Sequence, residues 1–166
     1  MESKQYIQAV EQYGDAVFHV AYSYCKNRSD SEDVVQNTFL KLFQNKGTFS
    51  DEEHLKRWLL RVAINEAKNY CTSFWKKRVI PLEESEKIPD VQFHDSANQR
   101  LYDAVMNLGE KYRVVVHLYY YEGYSIKEIS EITKVKVTTI QTRLMRARME
   151  LKNVLKEDFS DEELYL

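Results

Sequence analysis

Apolar residues recur at helical spacing along most of the chain. In the first segment these positions are Ile7, Val10, Val17, Ala21 and Tyr24, with Phe18 and Cys25 beside them. A stripe that repeats every three to four residues is typical of an amphipathic helix with one face against a core. The pattern predicts that this first helix ends near Lys26 and Asn27.

Two more helices are predicted in the N-terminal half, each opened by a capping-box sequence. The pairs are Ser29 with Glu32 and Ser50 with Glu53, and the serine of each pair is the predicted N-cap. The second helix has its apolar face at Val35, Thr38, Phe39 and Leu42. The third has Leu55, Trp58, Leu59, Val62 and Ala63, and is predicted to run to about Phe74.

The helical pattern breaks between residues 76 and 95. This stretch holds both prolines of the chain among scattered acidic residues, which predicts a linker. A second helical domain is predicted from Ser96, with Leu101, Val105 and Leu108 spaced for burial. The pattern predicts that Gly109 interrupts this domain's first helix.

The segment from Tyr112 to Tyr121 is rich in β-branched and aromatic residues. Propensity alone suits a strand. Helical patterns on both sides favour a short buried helix, which is the prediction here.

The last segments have the layout of a helix-turn-helix. Ser125 and Glu128 form a third capping-box sequence, and the short helix that they open is interrupted at residues 133–136. The longer helix that follows has its apolar positions at Ile140, Leu144, Ala147, Met149 and Leu151. Arg and Gln near the start of such a helix can reach base edges, while Thr and Lys hold phosphates. A helical hairpin packed against another protein, with solvated arginines, is the alternative.

Composition favours helices joined by short connections, and together with the break at residues 76–95 it predicts an all-α chain of two small helical domains joined by a flexible linker. The 166 residues include four Gly and two Pro, few for the tight turns of a sandwich or barrel. No apolar run approaches the roughly 20 residues that span a bilayer, and the first residues carry no secretory pattern. Cys25 and Cys71 are too few for a disulfide framework or a four-ligand zinc site, and a reducing, cytosolic compartment is predicted.

The net charge of −2 conceals a strong alternation. Residues 56–80 and 111–156 each carry +6, whereas 1–55, 81–110 and 157–166 carry −4, −5 and −5. Charges are screened over about 8 Å at physiological ionic strength, so each patch acts on its own neighbours. The two basic segments predict contact with a polyanion at two places, and solvated helix faces are the alternative.

Motifs for catalysis or metal binding are missing from the sequence. His19, His54, His94 and His117 show no metal-ligand spacing with one another or with the cysteines. No Gly-rich phosphate loop or nucleophile elbow occurs. The sequence therefore predicts a protein that is not an enzyme and uses no metal or cofactor.

Four motifs occur in order, at residues 33–40, 58–65, 122–129 and 139–148. Together they resemble the extracytoplasmic-function sigma factors, the small two-domain class of bacterial transcription initiation factors. The resemblance covers residues 6–155. It implies a factor that binds core RNA polymerase, recognises and melts the minus-10 promoter element, and reads the minus-35 element.

The same resemblance implies the division of the chain. Residues 1–75 correspond to sigma region 2, which binds core polymerase and the minus-10 element. Residues 76–95 correspond to the linker, 96–156 to region 4 with its helix-turn-helix, and 157–166 to an acidic tail.

Site residues also follow from the resemblance, position by position. The polymerase's largest-subunit coiled coil is expected to bind Asp33, Gln36 and Phe39. The minus-10 element is expected to contact Lys46, Thr48, Phe49, Arg57, Arg61, Asn65 and Lys68. The minus-35 element is expected to contact Thr138, Thr139, Gln141, Thr142, Arg143 and Arg146.

Each assignment has a structural alternative. Asp33 in a first helical turn is stabilising without a partner, and Phe39 fits a core position equally well. Trp58 could stack on a base, but its place in the apolar stripe favours the core. Lys134 stands where the family usually has Gly, so an altered turn is expected there.

The implied partners are core polymerase, through its largest-subunit coiled coil and the flap of the second-largest subunit, and promoter DNA. An anti-sigma factor, often membrane-associated in this family, is also expected, and the factor itself is expected to be cytoplasmic. The alternative function is a helix-turn-helix regulator with an N-terminal sensor or partner-binding domain. A protein-only adaptor whose basic faces bind acidic partners is a third possibility.

Overall fold

The computed structural model describes the backbone of residues 2–77 and 96–156, and the side chains of residues 2–71 and 98–156. Every regular element in these residues is a helix, which confirms the all-α prediction. The chain divides between Glu86 and Lys87 into two compact units. No helix in the described ranges is long and apolar enough to cross a membrane. The acidic tail and most of the predicted linker lie outside the described residues.

Unit 1, described over residues 2–77, packs three helices against one another. They are α1 (Ser3–Cys25), α2 (Arg28–Gln44) and α3 (Glu52–Lys77). The core is formed by aliphatic side chains from all three helices: Val17, Val20, Val34, Leu42, Leu59, Leu60, Ala63 and Ile64. The third helix, α3, ends at Lys77, which is three residues past its predicted end and inside the segment predicted to be the linker.

The buried face of α1 differs from the predicted stripe at its N-terminal end. Ile7 and Val10 are 56% and 36% exposed, whereas Ala9 and Tyr13 are buried. The hydroxyl of Tyr13 donates a hydrogen bond to the Glu52 carbonyl oxygen at 3.3 Å. This polar partner on α3 allows the large ring to be buried. The predicted end of α1 is confirmed, because Lys26 follows it in the left-handed conformation.

The first two predicted capping boxes are wrong by one or two residues. Asn27 is the N-cap of α2, and its side-chain oxygen accepts from the Asp30 amide at 3.0 Å. At the start of α3 the Asp51 carboxylate accepts from the His54 amide at 2.7 Å. Asn and Asp cap helices as well as Ser does, and in both helices the residue directly before the first helical position takes the role.

Unit 2, described over residues 96–156, contains four α-helices and one π-helical turn. They are α4 (Ser96–Met106), α5 (Glu110–Val116), the π-helical turn (His117–Tyr121), α6 (Ile126–Thr133) and α7 (Val137–Leu155). The longest helix, α7, packs against α4, α5 and α6. The core of unit 2 is formed by Leu108, Val114, Val115, Val116, Leu118, Ile129, Ile132, Ile140, Leu144 and Ala147.

The segment between Tyr112 and Tyr121 is helical, as predicted, and contains no strand. Its second half is a π-helical turn, in which the Glu122 amide donates to the His117 carbonyl at 3.1 Å. That bond spans five residues, where an α-helix spans four. The helix-like pattern on both sides was therefore a better guide than β propensity.

Two predicted core positions of unit 2 are exposed. Leu101 is 39% exposed and Met149 is 59% exposed. On a helix, Met149 lies about 200° from the buried Ala147, so the face that α7 packs inward leaves this methionine outside. The charged Arg113, in contrast, is buried, and its Nη1 atom donates to the Leu108 carbonyl at 2.6 Å.

Candidate nucleic-acid interface

The helix-turn-helix begins at a complete capping box. The Ser125 hydroxyl oxygen accepts from the Glu128 amide at 3.2 Å, and the Ser125 amide donates to the Glu128 carboxylate at 2.9 Å. The third capping-box prediction is therefore confirmed. At the other end of α6, the Ser130 hydroxyl donates to the Val135 carbonyl at 2.5 Å, which fixes the turn against the helix.

Lys134 takes the conformation that a glycine would favour. Its φ of 59° and ψ of 30° lie in the left-handed region, directly after the end of α6. The sequence comparison with the family's usual Gly led us to expect an altered turn. Lys134 instead retains a positive φ, although its Cβ atom crowds the backbone in this conformation.

The first three turns of α7 separate into a buried stripe and a polar surface. Ile140, Leu144 and Ala147 are fully buried. The six residues predicted to contact the minus-35 element all lie outside this stripe. Three are exposed, namely Thr138, Gln141 and Arg146, and three are half-buried, namely Thr139, Thr142 and Arg143. A helix anchored by one face presents these donors and acceptors together, as a major-groove reader requires.

Three tyrosines that the sequence reasoning missed contact arginines of α7. The Arg148 Nε atom donates to the Tyr120 hydroxyl oxygen at 2.6 Å, and its guanidinium lies 5.4 Å from the Tyr119 ring centroid. A hydrogen bond with Arg146 lowers the pKa of Tyr112. The available signal was the tyrosine run in the preceding segment, which periodicity alone did not relate to α7.

In unit 1 the loop between α2 and α3 presents polar side chains around an aromatic contact. Lys46 and Thr48 are exposed, while Phe49 is half-buried. The Phe49 ring meets Trp58 edge-on at 5.5 Å between centroids and His54 at 5.4 Å. Trp58 is half-buried and packs against the loop through Phe49. It is therefore neither fully buried, as the predicted core position implies, nor fully exposed for stacking on a base.

The four residues predicted for the basic face of α3 lie on one continuous helix, at Arg57, Arg61, Asn65 and Lys68. Arg57 pairs with Glu53 at 3.2 Å. Arg61 is half-buried, and its Nε atom has no hydrogen-bond partner in the described part of the chain. This Nε atom is itself shielded from solvent, so a phosphate or a base can be reached only by other atoms of the half-buried side chain.

The lone acidic residue of the 56–80 segment is directed elsewhere. Glu66 forms an ion pair with Lys41 of α2, and its side chain is 14% exposed. The pair takes this carboxylate away from the series of cations on α3. Arg57 on the predicted basic face is paired with Glu53 and not with Glu66.

The predicted polymerase-binding residues lie on α2 but differ in accessibility. Gln36 is exposed and Asp33 is half-buried, whereas Phe39 is only 5% exposed. The Tyr70 hydroxyl donates to Asp33 at 2.9 Å. The pKa of Tyr70 is raised to about 12, chiefly by this hydrogen bond and secondly by burial.

The family comparisons agree with this geometry. The family model described as Sigma-70 region 2 matches residues 9–77, and the one described as Sigma-70, region 4 matches residues 98–151. The chain belongs to the sigma-70 family. Named relatives place this sigma factor in the extracytoplasmic-function group, as the ordered motifs implied.

Two relatives illustrate the similarity. The RNA polymerase sigma factor SigV of Bacillus subtilis is 28% identical over 144 residues, which cover 86% of this chain and 87% of SigV. The ECF RNA polymerase sigma-E factor of Haemophilus influenzae is 29% identical over 167 residues, covering 92% of this chain and 88% of the relative.

Two solved structures have the same fold. The sigma factor RpoE from Bartonella quintana, solved in complex with the anti-sigma factor NepR, matches with a TM-score of 0.76 and 25% identity. The match covers 94% of this chain and 99% of RpoE. CnrH, solved with the cytosolic domain of CnrY, matches with a TM-score of 0.65 and 23% identity over 95% of this chain and 92% of its own.

This sigma factor is thus a transcription initiation factor that directs RNA polymerase to promoters, and it is not an enzyme. Sigma regions 2 and 4 bind core polymerase and promoter DNA. The alternative of a helix-turn-helix regulator with a sensor domain is not favoured, because the N-terminal unit is a sigma region 2.

Proposed function

We propose that this sigma factor contacts duplex promoter DNA through α7, melted DNA through the α2–α3 loop and α3, and core polymerase through α2. The division follows the predicted ranges, with residues 1–75 and 96–156 as the two functional domains and 76–95 as their linker. The observation that carries the proposal is the exposed polar surface on the first three turns of α7, opposite its buried stripe.

For the minus-35 element, α7 has the side chains that read a major groove. Arg143 and Arg146 can donate two hydrogen bonds to a guanine, and Gln141 can pair with an adenine edge. The hydroxyl of Thr142 already donates to the Thr138 carbonyl at 3.0 Å, so it meets DNA as an acceptor or through its methyl group. These residues define the proposed duplex-reading surface.

Run-off transcription with bacterial core polymerase and a promoter library tests this surface. Arg143→Ala is expected to weaken initiation by about 1–3 kcal/mol at promoters that present its preferred base. Arg100→Ala removes an exposed arginine of α4, outside the helix-turn-helix, and serves as the control. An unchanged promoter profile for Arg143→Ala would remove it from the reading surface.

For the minus-10 element, the proposal joins a cationic track to a base-binding loop. Arg57, Arg61 and Lys68 follow one face of α3, where they can hold the backbone of a separated strand. The exposed Lys46 and Thr48 surround Phe49, whose ring offers a surface for an unpaired base.

Promoter melting by the reconstituted holoenzyme, followed with 2-aminopurine in the minus-10 element, tests this track. Arg61→Ala is expected to reduce the fluorescence change while leaving polymerase binding intact. Arg28→Ala, which removes an exposed arginine paired with Glu32 at the start of α2, is the matched control. Equal melting by both variants would contradict the proposal.

For polymerase, the proposed contact surface is the outer face of α2. Gln36 has an exposed amide for hydrogen bonding and Asp33 a carboxylate held by Tyr70. Phe39 is assigned a positioning role beneath the surface, since its side chain is buried. Gln36→Ala is expected to weaken binding to core enzyme in a fluorescence titration, whereas Gln44→Ala, near the end of the same helix, is not. Equal affinities would count against this surface.

We also propose that the factor acts in the bacterial cytoplasm and is held inactive there by an anti-sigma factor. RpoE was solved with such a partner, NepR, and CnrH with the cytosolic domain of CnrY. A regulator recovered with this chain from its native cells should suppress promoter-specific run-off transcription when purified and added back. A co-purifying protein that leaves transcription unchanged would not be that regulator, and recovery of polymerase alone would contradict the proposal.

A further inference from the structure

The two cysteines of the chain meet in space although they are 46 positions apart. Cys25 is the last residue of α1, and Cys71 lies on α3. Their Sγ atoms are 3.4 Å apart, both residues are half-buried, and no disulfide joins them. A disulfide bond measures about 2.05 Å, so the sulfurs need to approach by only about 1.4 Å.

We propose that Cys25 and Cys71 form a redox modification site, which a peroxide oxidises to an intramolecular disulfide. The thiolate of one cysteine attacks a peroxide oxygen, the O–O bond breaks, and a sulfenic acid and water form. The second thiol then attacks the sulfenic sulfur, the S–S bond forms, and a second water leaves. Two thiols and one hydrogen peroxide thus give one disulfide and two waters, with two electrons passing from sulfur to oxygen.

The position of the pair favours the intramolecular product. The resolving thiol is already in contact with the thiol that reacts first, so the second step requires no encounter between molecules. Because both cysteines are half-buried, a small oxidant can reach their sulfur atoms, whereas a cysteine of a second chain is hindered from doing so. In a reducing compartment such a bond forms transiently, which is the behaviour of redox-sensing pairs.

The bond would also have a mechanical effect on unit 1. It would join the end of α1 to α3 and close a loop that contains the whole of α2. Closing a loop of this size restricts the unfolded chain. The oxidised protein is therefore expected to unfold at a higher urea concentration than the reduced protein. The proposal concerns the modification itself and stands apart from the assignment of the polymerase-binding surface.

The test exposes the full-length, reduced protein to hydrogen peroxide in native buffer and in urea. Intact-mass measurement should show the loss of two hydrogen atoms, and peptide mapping without reductant should join the peptides of Cys25 and Cys71. Disulfide formation is expected to be at least about tenfold faster in the folded protein, because folding brings the sulfurs together. Dithiothreitol should restore the original mass.

The single variants supply the matched control. In Cys71→Ser, the remaining Cys25 should yield a sulfenic acid that dimedone traps, and Cys25→Ser should do the same at Cys71. Oxygen adducts without a cross-link in the wild type, dimers between chains, or equal rates in buffer and urea would overturn the proposal. These three readouts use the wild-type chain, so they decide the matter even if a variant fails to fold.

Discussion

The hydroxyl of Tyr70 donates a 2.9 Å hydrogen bond to the carboxylate of Asp33, which joins α3 to α2. Asp33 is part of the proposed polymerase-binding surface, whereas Tyr70 belongs to none of the predicted sites. The bond limits the directions in which Asp33 can present its second oxygen. A residue outside the binding surface thereby helps to determine its geometry.

Replacing this hydroxyl should destabilise unit 1. Tyr70→Phe removes a hydrogen bond to a carboxylate and is expected to lower the free energy of unfolding by about 1–2 kcal/mol. Urea denaturation followed by circular dichroism measures the change. Tyr6→Phe is the control, because the Tyr6 ring packs edge-on against Phe43 at 5.5 Å and retains this contact without its hydroxyl. Equal effects from both substitutions would contradict the role of the Tyr70 bond.

The same bond should make unit 1 sensitive to alkaline pH. The Asp33 carboxylate raises the pKa of Tyr70 from 10.0 to about 12, so the folded state binds this proton more tightly than the unfolded chain. The associated stability is complete below pH 10.0 and falls as pH rises toward 12. Burial also raises the pKa of Tyr13, which adds to the trend.

Urea denaturation between neutral and strongly alkaline pH measures this dependence. The loss of unfolding free energy through that window should be smaller in Tyr70→Phe than in the wild type. Tyr6→Phe should retain the wild-type slope. Identical slopes in all three proteins would show that the Tyr70 proton is not linked to folding.

The cap of α2 offers a direct comparison of two neighbouring residues. Asn27→Ala removes the side-chain oxygen that accepts from the Asp30 amide and should cost about 1 kcal/mol of stability. Ser29→Ala changes the residue that the sequence pattern had selected, inside the first turn of the helix, and should cost less than about 0.5 kcal/mol. Thermal denaturation of both variants distinguishes them, and the reverse order would restore Ser29 as the cap.

Replacing Lys134, which lies in the left-handed conformation, by glycine should stabilise the protein. Lys134→Gly removes the Cβ that crowds the backbone at a φ of 59° and is expected to raise stability by about 0.5–1 kcal/mol. Lys127→Gly, within α6, should instead lower stability by about 1 kcal/mol. Thermal denaturation provides both values. A loss of stability from Lys134→Gly would show that the lysine side chain contributes more than its backbone conformation costs.

Sequence patterns predicted the elements of this fold better than their details. Helix periodicity gave the all-α class, and the capping box at Ser125 was correct because both partners were local. The exposed Ile7 could not be foreseen, since the choice of buried face depended on a carbonyl of α3 that accepts from Tyr13. Local signals predict local structure, whereas partners distant in sequence decide which face is buried.

The candidate site shows the same division. Periodicity placed the α3 cations on one helix and the α7 polar residues outside a buried stripe. It could not predict that Glu66 would pair with Lys41, nor that Tyr120 would hold Arg148, because these contacts span 25 and 28 positions. The family resemblance assigned the buried Phe39 to a binding surface, because family motifs do not separate contact residues from those that support them.

The π-helical turn at His117–Tyr121 affects how homologous sequences should be aligned. A π turn holds about one residue more than an α turn, so a relative with a regular helix here needs a one-residue gap. Without that gap, every later position is displaced by one residue, which is about 100° around α7. Equivalences drawn across the turn would then match a DNA-reading side chain of one protein with a core side chain of another.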